Sequence, residues 1–328
     1  MAGEIIKVSG LVHRYGDFEA VRGISFTVEE GEVFSFLGPN GAGKSTAINV
    51  LTTLLRIQQG SARVAGFDVA TEPARVRESI GIVFQEVTLD RDMTCGEILE
   101  FHGCLYRMPY GERRKRIDEL LAVVELDAKR DTLTKHLSGG MKRRLEIARG
   151  LMTRPKVLFL DEPTIGLDPQ TRRRMWDYIK AVNEEGTTIF LTTHYMDEAD
   201  QLSDRISIID HGQIIATGRG WDLKNRLAED VIYLETTDNG RSQEIVGAME
   251  GVTEVKEKTN GFVVLVNQDG THLLPRIMDE IRGQGIRIVT VNLKKPSMDD
   301  VFVHFTGRNL RDERAERPSA AIARAGSR

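Results

Sequence analysis

The sequence predicts an α/β protein, a largely parallel core carrying a helical insertion, followed by a small α+β domain. Three observations predict it. Short apolar runs of strand length at Val33–Leu37, 156–160, 187–193 and 205–210 are spaced by helical or glycine-bounded segments. Residues from about 88 to 152 change character and recur at three- and four-residue intervals. Beyond about 230 short strand-like runs return with tight turns between them. A length of 328 residues fits one large domain plus a smaller one.

Residues from about 4 to 85 read as strands followed by a helix. Phe26-Thr27-Val28 alternates, and Val33–Leu37 is an apolar run bounded by glycines. In the insertion, Ile98, Leu99 and Leu105, then Ile117, Leu120, Leu121 and Val124 keep helical spacing, with Pro109 and Gly111 separating two helices. A helix is expected over 172–184, and a hairpin joins 205–210 to 213–217 through His211-Gly212. In the C-terminal part, 231–235 and 251–258 read as strands, and Asn260-Gly261 turns into 262–266. A helix over 273–282 and a strand over 286–293 complete the order β-α-β-β-α-β. Domains are therefore expected at 1–222, with the insertion at 88–152, and at 223–308; 309–328, rich in Arg, Ala and Glu, reads as a flexible tail.

Hydrophobic residues at 40% and charged residues at 29% match a soluble globular chain. A net charge of −4 argues against a nucleic-acid partner. Cys95 and Cys104 are too few for a disulfide framework or a thiolate metal site and read as packing residues in a reducing compartment. The N-terminus lacks the basic and apolar regions of a secretion signal. No apolar run approaches the ~18 residues a membrane helix needs, so any membrane link is expected through a partner.

Gly38-Pro39-Asn40-Gly41-Ala42-Gly43-Lys44-Ser45-Thr46 satisfies G-x-x-x-x-G-K-[ST] directly after an expected strand and before an expected helix. Glycines let successive backbone N–H groups converge on phosphates, and the helix N-terminus adds its positive end. Lys44 would meet the β- and γ-phosphates of a nucleotide, and the Ser45 hydroxyl could ligate Mg²⁺. The strand 156–160 runs into Asp161-Glu162-Pro163. Carboxylates at the C-terminal end of a buried parallel strand lie where ligands bind in open α/β sheets. Asp161 is expected to hold Mg²⁺ through water, and Glu162 to act as general base on the attacking water.

Leu137-Ser138-Gly139-Gly140-Met141 resembles the signature of ATP-binding-cassette (ABC) proteins, with Met141 where that family normally carries Gln. The chain order agrees: phosphate loop, Gln85, signature, Asp161-Glu162, Gly166-Leu167-Asp168, His194. The resemblance covers about residues 4–220. It implies an ABC-type P-loop NTPase core with an antiparallel β subdomain, and roles for matching residues. Tyr15 would stack on adenine, and Gln85 would touch Mg²⁺ or the attacking water and sense a membrane partner. Asp168 would lie at a dimer seam, and His194 would contact the γ-phosphate. Ser138, Gly139 and Gly140 would close over the ATP of a second copy, giving a two-fold homodimer with two nucleotides between the subunits. The remaining histidines, including His13 and His102, read as structural, and Lys142-Arg143-Arg144 as a solvated helix face.

The stretch from Pro296 to Arg308, Pro-Ser-Met-Asp-Asp-Val-Phe-Val-His-Phe-Thr-Gly-Arg, resembles the C-terminal extension of daunorubicin-resistance exporter ATPases. That resemblance implies an ATP-hydrolysing subunit at the cytoplasmic face of the membrane, peripheral through a separate permease subunit and driving efflux of a drug or lipid-like substrate. The insertion around 87–108 would carry the permease contact, and the C-terminal domain a regulatory or assembly role. The alternatives are an importer ATPase and a soluble non-transport ABC ATPase. Translation factors of this kind typically carry two cassettes, and chromosome ATPases need coiled-coil heptads; one cassette and no heptads are present.

Overall fold

Apolar residues interleaved with polar ones through the first thirty positions build two long antiparallel strands, β1 (Glu4–Tyr15) and β2 (Phe18–Glu29), whose pairing is interrupted by register shifts. The computed structural model describes residues 3–228, 230–258 and 260–307. The chain divides into two units, Met1–Gly218 and Arg219–Arg328.

In the first unit, β3 (Val33–Leu37) leads into α1 (Lys44–Leu51), β4 (Gln59–Val64), β5 (Phe67–Asp68), α2 (Pro73–Ser79) and β6 (Ile80–Val83). Thus β4 and β5 follow the first helix, where the sequence suggested only strands then a helix; they complete a four-stranded antiparallel sheet, β2-β1-β4-β5. The insertion holds α3 (Cys95–Leu105), α4 (Tyr110–Val123) and α5 (Gly139–Gly150). Then come β7 (Val157–Asp161), α6 (Pro169–Glu184), β8 (Thr188–Thr193), α7 (Met196–Leu202), β9 (Arg205–Asp210) and β10 (Gln213–Gly218).

The second sheet runs β10-β9-β3-β8-β7-β6, parallel except for the β9–β10 hairpin. Its turn residues His211 and Gly212 both have positive φ, the twist a two-residue hairpin prefers. Every residue of β3, β7 and β8 is buried, as expected of strands covered on both faces. Phe26, Phe34, Phe36, Phe159 and Phe190 form one aromatic cluster with ring centroids 4.9–5.9 Å apart. Through Phe26 of β2 it packs the antiparallel sheet against the parallel one.

In the insertion Ile98, Leu99, Ile117, Leu120, Leu121 and Val124 are buried in one core. Leu105, expected with them, is exposed, because α3 ends there. Gly111 does not separate two helices; it is the second residue of α4, which Pro109 caps. Thr94 and Glu97 form a capping box that starts α3. Cys95 packs in the core as expected, whereas Cys104 is exposed.

The second unit contains α8 (Gly220–Leu227), β11 (Asp230–Thr236), α9 (Asn239–Gly247), β12 (Val252–Lys258), β13 (Gly261–Val266), α10 (Gly270–Gly283), β14 (Ile288–Lys294) and α11 (Met298–Thr306). Its antiparallel sheet has the order β12-β13-β11-β14 around Ile232, Leu234, Phe262, Val264, Leu273 and Ile277. The division at 218 precedes the expected 222 because α8 begins at Gly220 and spans that position. The segment after Pro296 is helical, with Ser297 and Asp300 forming its capping box. The tail expected at 309–328, with Arg308, lies outside the described residues. Among the described residues no helix is long and apolar enough to cross a membrane.

Candidate nucleotide site

β3 lies inside the parallel sheet between β8 and β9, so the loop after Leu37 emerges at its C-terminal edge. Gly43 closes that loop at φ 99°, and a Cβ there would stand 2.4 Å from the Ala20 carbonyl oxygen of β2. Only glycine satisfies both constraints. No side chain caps α1, which leaves its first N–H groups directed at the loop. Lys44 is buried below, its Nζ donating to the carbonyl oxygens of Gly38 and Pro39 at 2.8 and 3.0 Å.

Two neighbouring strand ends, those of β7 and β8, bring the other charged groups to Lys44. The last residue of β7, Asp161, accepts from the half-buried Ser45 hydroxyl at 3.2 Å and from the Thr192 hydroxyl of β8. Glu162 Oε1 stands 3.2 Å from Lys44 Nζ, with both side chains at most 5% exposed. Its Oε2 stands 3.0 Å from Nδ1 of His194, the residue after β8. Burial pushes the Glu162 carboxyl up, but the His194 hydrogen bond and the Lys44 charge outweigh it, leaving the group below the usual glutamate range. The adjacent acids can both reach the site because Glu162 has left the strand: its φ is 48°, left-handed. Such a backbone costs on the order of 1–3 kcal/mol at a non-glycine residue. Two hydrogen bonds from Glu162 N–H to Thr192, one to its carbonyl and one to its hydroxyl, both 3.1 Å, hold it there.

Lys142-Arg143-Arg144 is not one solvated face. Arg143 is buried, and its guanidinium lies under the turn that carries Glu162. Nε donates to Pro163 O at 2.7 Å, Nη2 to Asp161 O at 3.0 Å and to Glu162 O at 3.1 Å. Nη1 donates to Phe84 O and to Glu146 Oε2, the latter at 3.0 Å. Glu198 is a second buried residue that sequence reasoning missed. Its Oε1 accepts from Thr164 Oγ1 at 2.7 Å and Trp176 Nε1 at 3.0 Å, tying α7 to the Glu162–Asp168 turn and to α6. Nothing in the local sequence separates Arg143 from its charged neighbours. The helical spacing of Arg143 and Glu146, three residues apart, is the one signal available.

The remaining predicted residues lie apart from this cluster. Ser138 caps α5, accepting from Met141 N at 3.3 Å, and Ser138 and Gly139 are exposed. Gly140 is buried, and a Cβ there would fall 2.5 Å from Thr171 Cγ2. The Thr171 hydroxyl in turn donates to Asp168 Oδ2 at 2.6 Å, while Asp168 Oδ1 caps α6. Ser138, Gly139 and Asp168 are therefore exposed on neighbouring helix starts, joined through Gly140 and Thr171. Tyr15 is 50% exposed at the tip of the β1–β2 hairpin, edge-on to His13. Phe18, its partner across the tip, is a second exposed aromatic that the sequence did not single out. Gln85 is exposed two residues beyond β6, which stops at Val83 rather than at Phe84.

The arrangement suits a magnesium nucleotide. Glycine-turned backbone, an uncapped helix start and a buried ammonium supply an anion cradle. A hydroxyl and a carboxylate side by side at Ser45 and Asp161 supply hard oxygen ligands. Among the described residues no group of three or more His, Cys, Asp or Glu side chains is placed to hold a metal ion.

Comparison with known proteins gives the same answer from another direction. Residues 21–165 match the ABC transporter family, and residues 218–306 match the ATP-binding protein DrrA1-3-like C-terminal domain. The daunorubicin/doxorubicin resistance ATP-binding protein of Streptomyces peucetius is 40% identical over 314 residues, 95% of each chain. The linearmycin resistance ATP-binding protein of Bacillus subtilis (strain 168) is 36% identical over 312 residues, 94% of this chain and 100% of that one. The dimeric, post-hydrolysis structure of the cassette MJ0796 with ADP and phosphate is 29% identical, at a TM-score of 0.59. It covers 65% of this chain and 98% of its own.

Proposed function

The chain belongs to the ABC transporter ATP-binding family, and from that premise we propose that it powers export of a drug or lipid-like compound through a separate membrane subunit. It is an ATP-binding, ATP-hydrolysing subunit of an ABC transporter. The names of its relatives, which speak of resistance to daunorubicin, doxorubicin and linearmycin, support efflux of an amphiphilic compound.

The observation that carries the mechanism is the chain Lys44–Glu162–His194, linked at 3.2 and 3.0 Å. Glu162 serves as the general base, and its ionised carboxylate is the form a base requires. While Lys44 stays paired with Glu162 and the loop carbonyls, the base is partly neutralised. An arriving triphosphate competes for the Lys44 ammonium through stronger charge, and Glu162 is released toward water. His194 keeps one Glu162 oxygen oriented and stands ready to donate to the terminal phosphate. The loop 38–46 holds the phosphates, Tyr15 the adenine. Mg²⁺, when bound, neutralises phosphate charge, and Ser45, Asp161 and Gln85 would hold it.

Phosphoryl transfer needs charge stabilisation from all sides and exclusion of water. In this chain the exposed Ser138, Gly139 and Asp168 are suited to complete the site of a second copy, as a symmetric dimer requires. The dimeric relative supports that assembly. A groove of about 310 Å³ between β6, α3 and α5, lined by Ile82, Phe84, His102, Tyr106 and Arg149, supports docking of the membrane subunit. Exposed Val87, Phe101 and Leu105 lie on the segments beside it. Such docking would hold the chain at the cytoplasmic face of the membrane.

Glu162→Gln removes the base and keeps the cradle. Nucleotide binding should persist, turnover should fall by at least about a hundredfold, and ATP should trap a dimer visible by light scattering. Turnover at the wild-type rate would show that Glu162 is not the base.

A further inference from the structure

The guanidinium of Arg143 has five N–H donors, and all five meet an acceptor: the carbonyl oxygens of Phe84, Asp161, Glu162 and Pro163, and Glu146 Oε2. Three of those carbonyls belong to consecutive residues centred on Glu162. Consecutive carbonyls converge in this way only where the strand has ended and the chain has turned, here through the left-handed Glu162. Their dipoles point at one place and need a fixed positive fork beneath them. Lysine, with its donors on one tetrahedral nitrogen, cannot supply it.

Glu146 extends the same contacts outward. Its Oε1 accepts from Thr88 N at 2.8 Å and from Thr88 Oγ1 at 3.3 Å. Arg149 donates to Thr88 Oγ1 at 2.8 Å. The exposed segment holding Gln85 is therefore pinned at Phe84 and again at Thr88, and both pins lead to α5, the helix that Ser138 begins.

We infer that Arg143 is a positioning residue, which holds the Glu162 backbone in its turned conformation and joins it to the Phe84–Thr88 segment and to the signature helix. It touches no substrate and acts through Glu162. A displacement of the Gln85 segment then reaches the base through one buried side chain. The inference rests on Glu162 being the base.

The test uses the full chain with Arg143→Lys, and Glu162→Gln alongside. Arg143→Lys should keep its thermal transition and bind ATP within about threefold of wild type, while kcat falls at least tenfold with KM little changed. A second variant, Arg143→Gln with Glu146→Gln, removes both members of the Arg143–Glu146 pair at once and should show the same split. Unchanged kcat in a folded variant, with Glu162→Gln inactive, overturns the inference and leaves the base intact. Wild-type turnover in Glu162→Gln overturns the base instead. Parallel loss of binding and kcat, or failure of both variants to fold, would make Arg143 merely structural and would also overturn it.

Discussion

Lys44 and Glu162 each carry a charge into a place nearly sealed from water, and each is tolerable there because of the other. Lys44 is held as well by the Gly38 and Pro39 carbonyls. The proposed triphosphate contact replaces one set of charge-assisted hydrogen bonds with another, worth about 1.5–3 kcal/mol. Lys44→Ala should therefore weaken ATP binding on the order of ten- to hundredfold in a fluorescence titration. An unchanged Kd would remove Lys44 from the phosphate site. Lys44 and Glu162 were legible in sequence because the loop pattern and the strand-end acids are local. The left-handed turn at Glu162 was not, since it depends on Thr192 from another strand.

At the scale of elements, α3 and α5 form the wall of the groove beside β6, and His102 of α3 lines it. Burial, then the nearby Arg149 charge, pushes the His102 imidazole down to about 4. In the unfolded chain this ring takes its proton near pH 6.5, so the folded state alone resists protonation. Acidification below about 6.5 then favours unfolding, and the loss reaches about 2 kcal/mol at pH 5. His102→Gln should lose up to about 2 kcal/mol less than wild type between pH 7.5 and 5, measured by urea denaturation. Equal losses would show that His102 is not the acid-sensitive group. Helical periodicity predicted these elements well where the apolar face is continuous, as at Ile117, Leu120 and Leu121. It misplaced Leu105 and Gly111, because a helix end and a glycine at the second helical position leave no mark on spacing.

The molecule as a whole joins a catalytic unit, Met1–Gly218, to a sheet-and-helix unit with its own core. The residues proposed for the nucleotide site all lie in the first. We propose a regulatory or assembly role for the second unit. A chain ending at Gly218 should retain nucleotide binding and measurable ATPase activity, yet co-purify poorly with the membrane subunit or lose control by it. Normal assembly and transport by the shortened chain would remove that role.

Read without coordinates, the residues already specify the α/β class, the β-α-β-β-α-β order of the second unit, the phosphate loop and the paired acids. Each of these is written in neighbouring residues: a period, a glycine spacing, a strand running into carboxylates. Only the tertiary structure decided that Arg143 is buried while Lys142, next to it, is not, and that Asp161, Glu162, Thr192 and His194 share one set of hydrogen bonds. The physical reason is that a charged side chain shows whether it faces water or a ring of carbonyls only when strands far apart in sequence end side by side.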